Sequence, residues 1–512
     1  MTSTTKGSPL VVALDVGTSS VRTLLFNQRA RPQPGAEVHL PYRPHVTADG
    51  AAEVDAEKLL RLVQRALDGI LERAGPGRRE RIVAVGISTF WHGLVATDAD
   101  ARPLTPVYLW SDARSWRDAA RLRESLDAEA IRQRTGCLIH PSYWPAKLAW
   151  LRRQQRPLWS RGVRWLSIGD LLHWRLFGTP RTSLSMASGT GLMGLVERHW
   201  DGQLLEALGV AIEALPALAE EERGLRAPYA RRWPALAEVP WFTAAGDGAL
   251  ANLGSGCLDP RQRAITVGTS GALRVMGGGP PASIPAGLWC YRLDADRVVM
   301  GGALSNGGNL YEWFLRTLAL DGGLLERQIA ALAPTEHGLT FLPLLAGERS
   351  PGYAVHAAGA IAGLTSATTP RELVRAGLEA VSIEFGRIDR LLDRVMPAPE
   401  RLVASGAALL HSPAWMQITA DATGRTIATG SAKEASSRGA AIRALEGVGL
   451  ATGEELKPAL GRIYRPRRRA TEAYRAEMAR QEALYRVLIT DRLLEKPPAR
   501  RAAALQAAAG LG

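Results

Sequence analysis

Cysteine is scarce in this chain: three in 512 residues, Cys137, Cys257 and Cys290, odd in number and far apart. So small a set, without metal-ligand spacing, argues against a disulfide framework or a cysteine zinc site and suits a reducing cytosol. Lysine is rarer than arginine by far, with six (6, 58, 147, 433, 457 and 496) among 63 basic residues. The net charge of +13 therefore comes from arginine spread along the whole chain, a pattern of coding bias rather than of a binding face. The one dense run, Arg465-Pro466-Arg467-Arg468-Arg469, has no interleaved aromatics, so no nucleic-acid partner is expected. No apolar stretch reaches about 18 residues, and the N-terminus lacks a charged lead and a small-residue cleavage site. The expectation is a soluble cytoplasmic protein with no membrane partner. Two familiar phosphate-binding signatures are also missing: no Gly-x-x-x-x-Gly-Lys loop, and no Gly-x-Gly-x-x-Gly opening a helix after the first strand.

What is present points to a duplication. At 512 residues, 46% hydrophobic and 22% charged, the chain exceeds one ordinary core, and two domains of roughly 200–250 residues are expected. Leu10–Leu14 is an apolar run, followed by Asp15-Val16-Gly17-Thr18-Ser19-Ser20 and a second strand-like segment, Val21–Phe26. Ala264–Val267, Gly268-Thr269-Ser270-Gly271 and Ala272–Met276 repeat that order. Both read as hairpins, and both carry Val-Gly-Thr-Ser at the turn, 251 positions apart. Strand patterns at Arg81–Ile87, Val298–Ala303 and Arg401–Ala404 alternate with helical periodicity at Ala56–Ala74, Arg371–Val395 and Ala470–Leu494. Ser412-Pro413 reads as an N-cap with proline in the first turn. Mixed elements in two halves indicate α/β domains. The expected divisions are 1–250, 251–470 and a closing helix with tail, 471–512, of which Pro497–Gly512 is Ala/Arg/Gly-rich and expected to fray.

A tight turn of glycine and hydroxyl residues gathers backbone N–H groups and hydroxyl donors at one point, which suits phosphate oxygens. Asp15 either holds a magnesium ion through water or caps its turn.

These residues resemble the FGGY carbohydrate kinases, within the actin-like (ribonuclease H-like) ATPase fold. Val11–Asn27 is similar to the family's opening phosphate hairpin, and the likeness recurs in order along the chain. It continues through Gly86-Ile87-Ser88 with Trp91-His92, Trp110-Ser111-Asp112-Ala113-Arg114-Ser115, and Thr135-Gly136 to Lys147-Leu148. Gly246-Asp247-Gly248 with Asn252-Leu253-Gly254 resembles the catalytic aspartate segment, and Gly268-Thr269-Ser270 the second phosphate turn. Gly302–Trp313, Gly347-Glu348-Arg349-Ser350-Pro351, Ala404-Ser405-Gly406-Ala407 and a closing stretch from Tyr464 to Tyr485 complete the series. One departure falls at the adenosine segment, where Ala407 and Leu410 stand in place of the family's usual glycine and the asparagine of glycerol kinases.

The resemblance implies two domains around a cleft, with ATP and magnesium as cofactors. Asp247 would take the proton from the attacking hydroxyl. Gly17, Thr18, Ser19, Arg22, Gly268 and Thr269 would meet the phosphates, Gly308, Glu312 and Gly406 the nucleotide, and Asp15 the magnesium through water. Trp91, His92, Asp112, Arg114, His140 and Lys147 would meet the substrate. Trp91-His92 together with His140-Pro141-Ser142-Tyr143-Trp144-Pro145-Ala146-Lys147 looks most like the gluconokinases of the family, so D-gluconate is the expected substrate. Arg114 and Lys147 either serve its carboxylate or form structural ion pairs, for example with Asp112. A ketopentose kinase and a non-catalytic nucleotide sensor are the rival readings, and a homodimer is left open.

Overall fold

Each Val-Gly-Thr-Ser segment joins the first two strands of its own sheet in the computed structural model, which describes residues 7–491 except 48, 160–161, 319, 321 and 355–356. The tail expected to fray, 497–512, lies outside the described residues. In the first sheet, β1 (Leu10–Val16), β2 (Ser20–Asn27) and β3 (Pro32–Pro41) form an antiparallel meander. On the other side of β1, β4 (Ile82–Thr89) runs parallel, with short β5 (Glu221–Glu222) at the edge beyond β6 (Trp241–Gly246), itself parallel to β4. All seven residues of β1 are buried, as a central strand covered on both faces requires. Helix α1 (Ala56–Ala74) covers β2 and β3 with a stripe that includes Leu59, Val63, Leu67 and Ile70, and Asp55 caps it by accepting from Lys58 N. Further helices, among them α2 (Trp144–Gln154) and α3 (Leu184–Thr190), precede α4 (Asp247–Gly254), which starts directly from the end of β6.

The second sheet repeats the plan. Its strands are β7 (Gln262–Val267), β8 (Gly271–Gly277), β9 (Trp289–Arg292), β10 (Val298–Leu304), β11 (Arg401–Ser405), β12 (Ile427–Gly430) and β13 (Leu460–Tyr464), ordered β9-β10-β8-β7-β11-β12-β13. β7, β8 and β10 make the antiparallel meander, and β11 and β12 add in parallel, as β4 and β6 do in the first sheet. The sequence echo is thus the central hairpin of one topology used twice. The principal helices here are α5 (Gly308–Thr317), α6 (Pro370–Leu392), α7 (Pro413–Thr423), α8 (Ala435–Gly447) and α9 (Arg468–Tyr485). Ser412 caps α7 as expected, its hydroxyl accepting from Trp415 N at 3.0 Å.

Two seams join the halves. In one, α8 packs across α4 so closely that a Cβ on Gly254 would stand 1.9 Å from Ala435 O, and one on Gly439 1.9 Å from Leu250 O, so only glycine fits at either place. In the other, the segment around β9 docks on the first half: Cys290 N donates to Gly136 O at 2.9 Å, Arg292 N to Ser188 Oγ at 2.9 Å, and the Tyr143 and Tyr291 hydroxyls meet at 2.5 Å. Between the seams lies a cleft.

Candidate active site

The first sheet aims its chemistry at the cleft through the ends of three parallel strands. Asp15 sits near the end of β1, Trp91 and His92 follow β4, and Asp247 follows β6. Ligands of open α/β sheets bind at such carboxyl ends. A chamber of about 260 Å³ lies there, lined from the first half by Thr18, Trp91, His92, His140 and Asp247, and from the second by Ser270, Arg274, Tyr291 and Arg349.

Asp247 is half-buried at the first turn of α4, one oxygen taken by Gly248 N at 2.7 Å. Burial and the Asp15 charge raise its carboxyl to about 6, with Arg274 opposing. Asp15 is buried more deeply, and burial raises its carboxyl too. Ser436, in the first turn of α8, donates to Asp15 Oδ2 at 2.8 Å, while Oδ1 is buried without a hydrogen-bond partner. An orphaned carboxylate oxygen beside the phosphate turn fits a hydrated hard cation held by few protein ligands. Among the described residues no group of three or more His, Cys, Asp or Glu is placed to form a full protein cage.

The two histidines of the chamber are tuned in opposite senses. His92, at φ +66°, sets Nδ1 2.5 Å from Gly189 O; a carbonyl only accepts, so Nδ1 carries the proton and Nε2 is left to accept. His140 Nδ1 accepts from Ser142 N at 3.2 Å, so its Nε2 carries the proton and donates. Burial pushes both imidazoles down to about 3, so both are neutral at physiological pH. The Trp91 indole is a wall: Nε1 donates to Ser185 O at 3.0 Å, and the ring meets Tyr291 edge-on at 4.8 Å between centroids.

Three expected substrate residues and one expected phosphate residue have protein partners in this structure. Lys147 is buried and donates to His92 O at 2.9 Å and Ser142 O at 2.6 Å; it is a clasp that holds the two histidine-bearing segments, and burial lowers its pKa to about 7. Arg114 pairs with Asp112 and Glu53, both at 2.6 Å, and lies over the Trp150 ring at 4.8 Å, so the structural ion pair is what the fold builds. Asp112 also accepts from Ala52 N and faces only an adjoining recess. Arg22 pairs with Glu434 at the head of α8 and lines neither cavity. Gly17 and Ser19 lend backbone oxygens to Tyr42, which braces the turn from outside.

The remaining nucleotide residues converge. Gly268, Thr269, Gly308 and Glu312 line a second cavity of about 550 Å³ with Tyr311 and Trp415. Gly308 N donates to Gly268 O at 2.8 Å and Asn309 N to Thr269 O at 3.1 Å, locking the second turn onto α5. Gly406, at φ +89°, crosses Val267 so closely that a Cβ would lie 2.3 Å from its carbonyl oxygen. Arg274 has no counterpart among the residues expected from sequence, and Arg349 was placed there only within a motif. An arginine inside an otherwise apolar strand, as in Ala272–Met276, was the available signal for Arg274.

Two family models match this chain: the N-terminal domain of the FGGY family of carbohydrate kinases over residues 10–254 and its C-terminal domain over 263–446. The chain belongs to the FGGY family. Among curated relatives, the gluconokinase of Bacillus subtilis (strain 168) is 27% identical over 472 residues, 89% of this chain and 91% of that protein. Among solved structures, a gluconate kinase from Lactobacillus acidophilus matches with TM-score 0.87 at 25% identity, over 94% of this chain and 99% of that one. A xylulose kinase from Lactobacillus acidophilus matches with TM-score 0.87 at 26% identity, over 94% and 98%. The fold is therefore the two-domain actin-like architecture of FGGY sugar kinases, and the activity is that of a sugar kinase, with a small sugar as acceptor. Among the described residues no helix is long and apolar enough to cross a membrane.

Proposed function

We propose that this kinase transfers the terminal phosphoryl group of ATP to a hydroxyl of D-gluconate, giving 6-phosphogluconate, with Asp247 as general base. The observation that carries the reading is the chamber itself: its lining carboxylate, Asp247, shares one open cleft with Thr18 of the first turn and Ser270 of the second. A carboxyl raised to about 6 is ionised at neutral pH and close enough to that pH to accept a proton as the hydroxyl attacks. His92 Nε2 accepts from a substrate hydroxyl and the His140 N–H donates to another, while the Trp91 and Tyr291 rings exclude water. The hydroxyls of Thr18, Ser19 and Thr269 are the donors for phosphate oxygens, and Gly308, Glu312 and Gly406 shape the nucleotide cavity. Asp15, with its unpartnered oxygen, would hold a hydrated magnesium ion, which neutralises phosphate charge when bound. Three free cysteines, all buried, suit the cytoplasm, where we place the enzyme.

A ketopentose is the second reading, favoured by the equally good superposition on the Lactobacillus acidophilus xylulose kinase. Coupled ADP release with gluconate, xylulose, ribulose and glycerol separates the two. Gluconate should exceed each neutral sugar at least tenfold in kcat/KM; a tenfold preference for a ketose would overturn the gluconate reading.

A further inference from the structure

With Arg114 and Lys147 engaged, a gluconate carboxylate needs other partners. Two arginines from the second half line the chamber. Arg274 lies on β8, two residues past Ala272, and both residues line it. Its Nη1 is buried with no hydrogen-bond partner, and among the described residues no ion pair holds the guanidinium. Arg349 is fixed by stacking over Trp110 at 4.7 Å and by donating from Nη2 to Leu304 O at 2.8 Å, which leaves Nε buried and unpartnered.

A guanidinium stays protonated, and leaving its donors desolvated is costly. Arg274, Arg349 and the Asp247 carboxylate line one chamber, and the Asp15 carboxylate acts on Asp247 from nearby, so what an anionic substrate group would satisfy is the unpartnered guanidinium donors rather than a net charge. The planar fork of arginine matches a carboxylate in two parallel hydrogen bonds, which a lone hydroxyl does not offer. We propose that Arg274, assisted by Arg349, is the specificity-determining group that reads the carboxylate of an open-chain sugar acid, leaving the other end of the substrate to meet Asp247. The proposal rests on the sugar-acid reading above and names its recognition site. An arginine here could instead serve the transferred phosphoryl group, which the test distinguishes.

The test compares kcat/KM for gluconate and for D-glucitol, the same chain with a hydroxymethyl in place of the carboxylate, in wild type, Arg274→Gln, Arg274→Lys and Arg349→Gln. ATP binding and a thermal melt serve as checks of fold. Removing one partner of a desolvated charge pair should lower the Arg274→Gln value for gluconate roughly 10²-fold, mostly through KM, and the glucitol value less than threefold. Arg274→Lys, which keeps charge but not the fork, should fall between; Arg349→Gln should lose roughly tenfold on gluconate. Equal losses on both substrates in Arg274→Gln would overturn the inference while leaving the gluconate reading intact. A wild type that prefers another sugar acid overturns only the named substrate, and the Arg274→Gln loss is then read on that acid. A wild type that prefers neutral ketoses to every sugar acid overturns both.

Discussion

The two Val-Gly-Thr-Ser hairpins share a sequence but neither a turn nor surroundings: Val16 pairs with Val21 across a four-residue loop, Val267 with Gly271 across a three-residue loop. Each closes with a glycine N–H on a serine carbonyl, Gly17 to Ser20 at 2.9 Å and Gly268 to Ser270 at 3.0 Å. One residue before that shared segment they differ. The first has Asp15, buried with a free oxygen; the second has Thr266, whose hydroxyl meets Ser405 Oγ at 2.8 Å. Their bracing differs as well. Tyr42 holds the first turn from the sheet edge, whereas α5 and Gly406 press on the second, whose Thr269 faces the nucleotide cavity and Ser270 the substrate chamber. The duplicated turn thus recurs in different surroundings, a buried carboxylate before one copy and a second cavity beside the other.

That contrast can be broken at graded cost. Asp15→Thr gives the first hairpin the residue that precedes the second; turnover should fall on the order of 10²–10³-fold, with a raised magnesium requirement, read from initial rates against magnesium concentration. Gly406→Ala forces a Cβ onto Val267 at φ +89° and should destabilise the protein by about 3 kcal/mol in denaturant titration. Asp247→Asn removes a carboxylate whose folded-state pKa, about 6, lies above its unfolded value. The native state therefore bears a penalty above pH 6 that is relieved as pH falls toward 4. The variant should be more stable than wild type at pH 8 by on the order of 2 kcal/mol, and the difference should fade between pH 6 and 4 in melts. Gly268→Ala meets open space at ordinary φ and should change stability by less than about 0.5 kcal/mol.

Much of the fold is encoded in local sequence signals. Helix α1 spans Ala56–Ala74 as its periodicity requires, and the strand patterns at 81–87, 298–303 and 401–404 appear as Ile82–Thr89, Val298–Leu304 and Arg401–Ser405. The closing helix, expected over Ala470–Leu494, runs over Arg468–Tyr485 and passes into a π turn, Arg486–Thr490; 492–494 lie outside the described residues. The turns themselves were legible: Thr18 and Thr269 lie in the two hairpin loops and line the two cavities. Sequence says least where charge depends on distant partners. Arg114 and Lys147 lie in the right motifs, but Glu53 and the carbonyls of His92 and Ser142 claim them across as many as 61 positions of sequence. Arg274 was missed for the converse reason: nothing local tells that a strand arginine lacks a partner.

The proposed role of Asp247 as the base is open to a direct measurement, single-turnover phosphoryl transfer in Asp247→Asn. ATP affinity should stay within twofold of wild type while the rate with saturating gluconate falls on the order of 10³-fold, and the wild-type rate should decline below about pH 6. An Asp247→Asn enzyme that transfers phosphate at the wild-type rate would contradict the assignment.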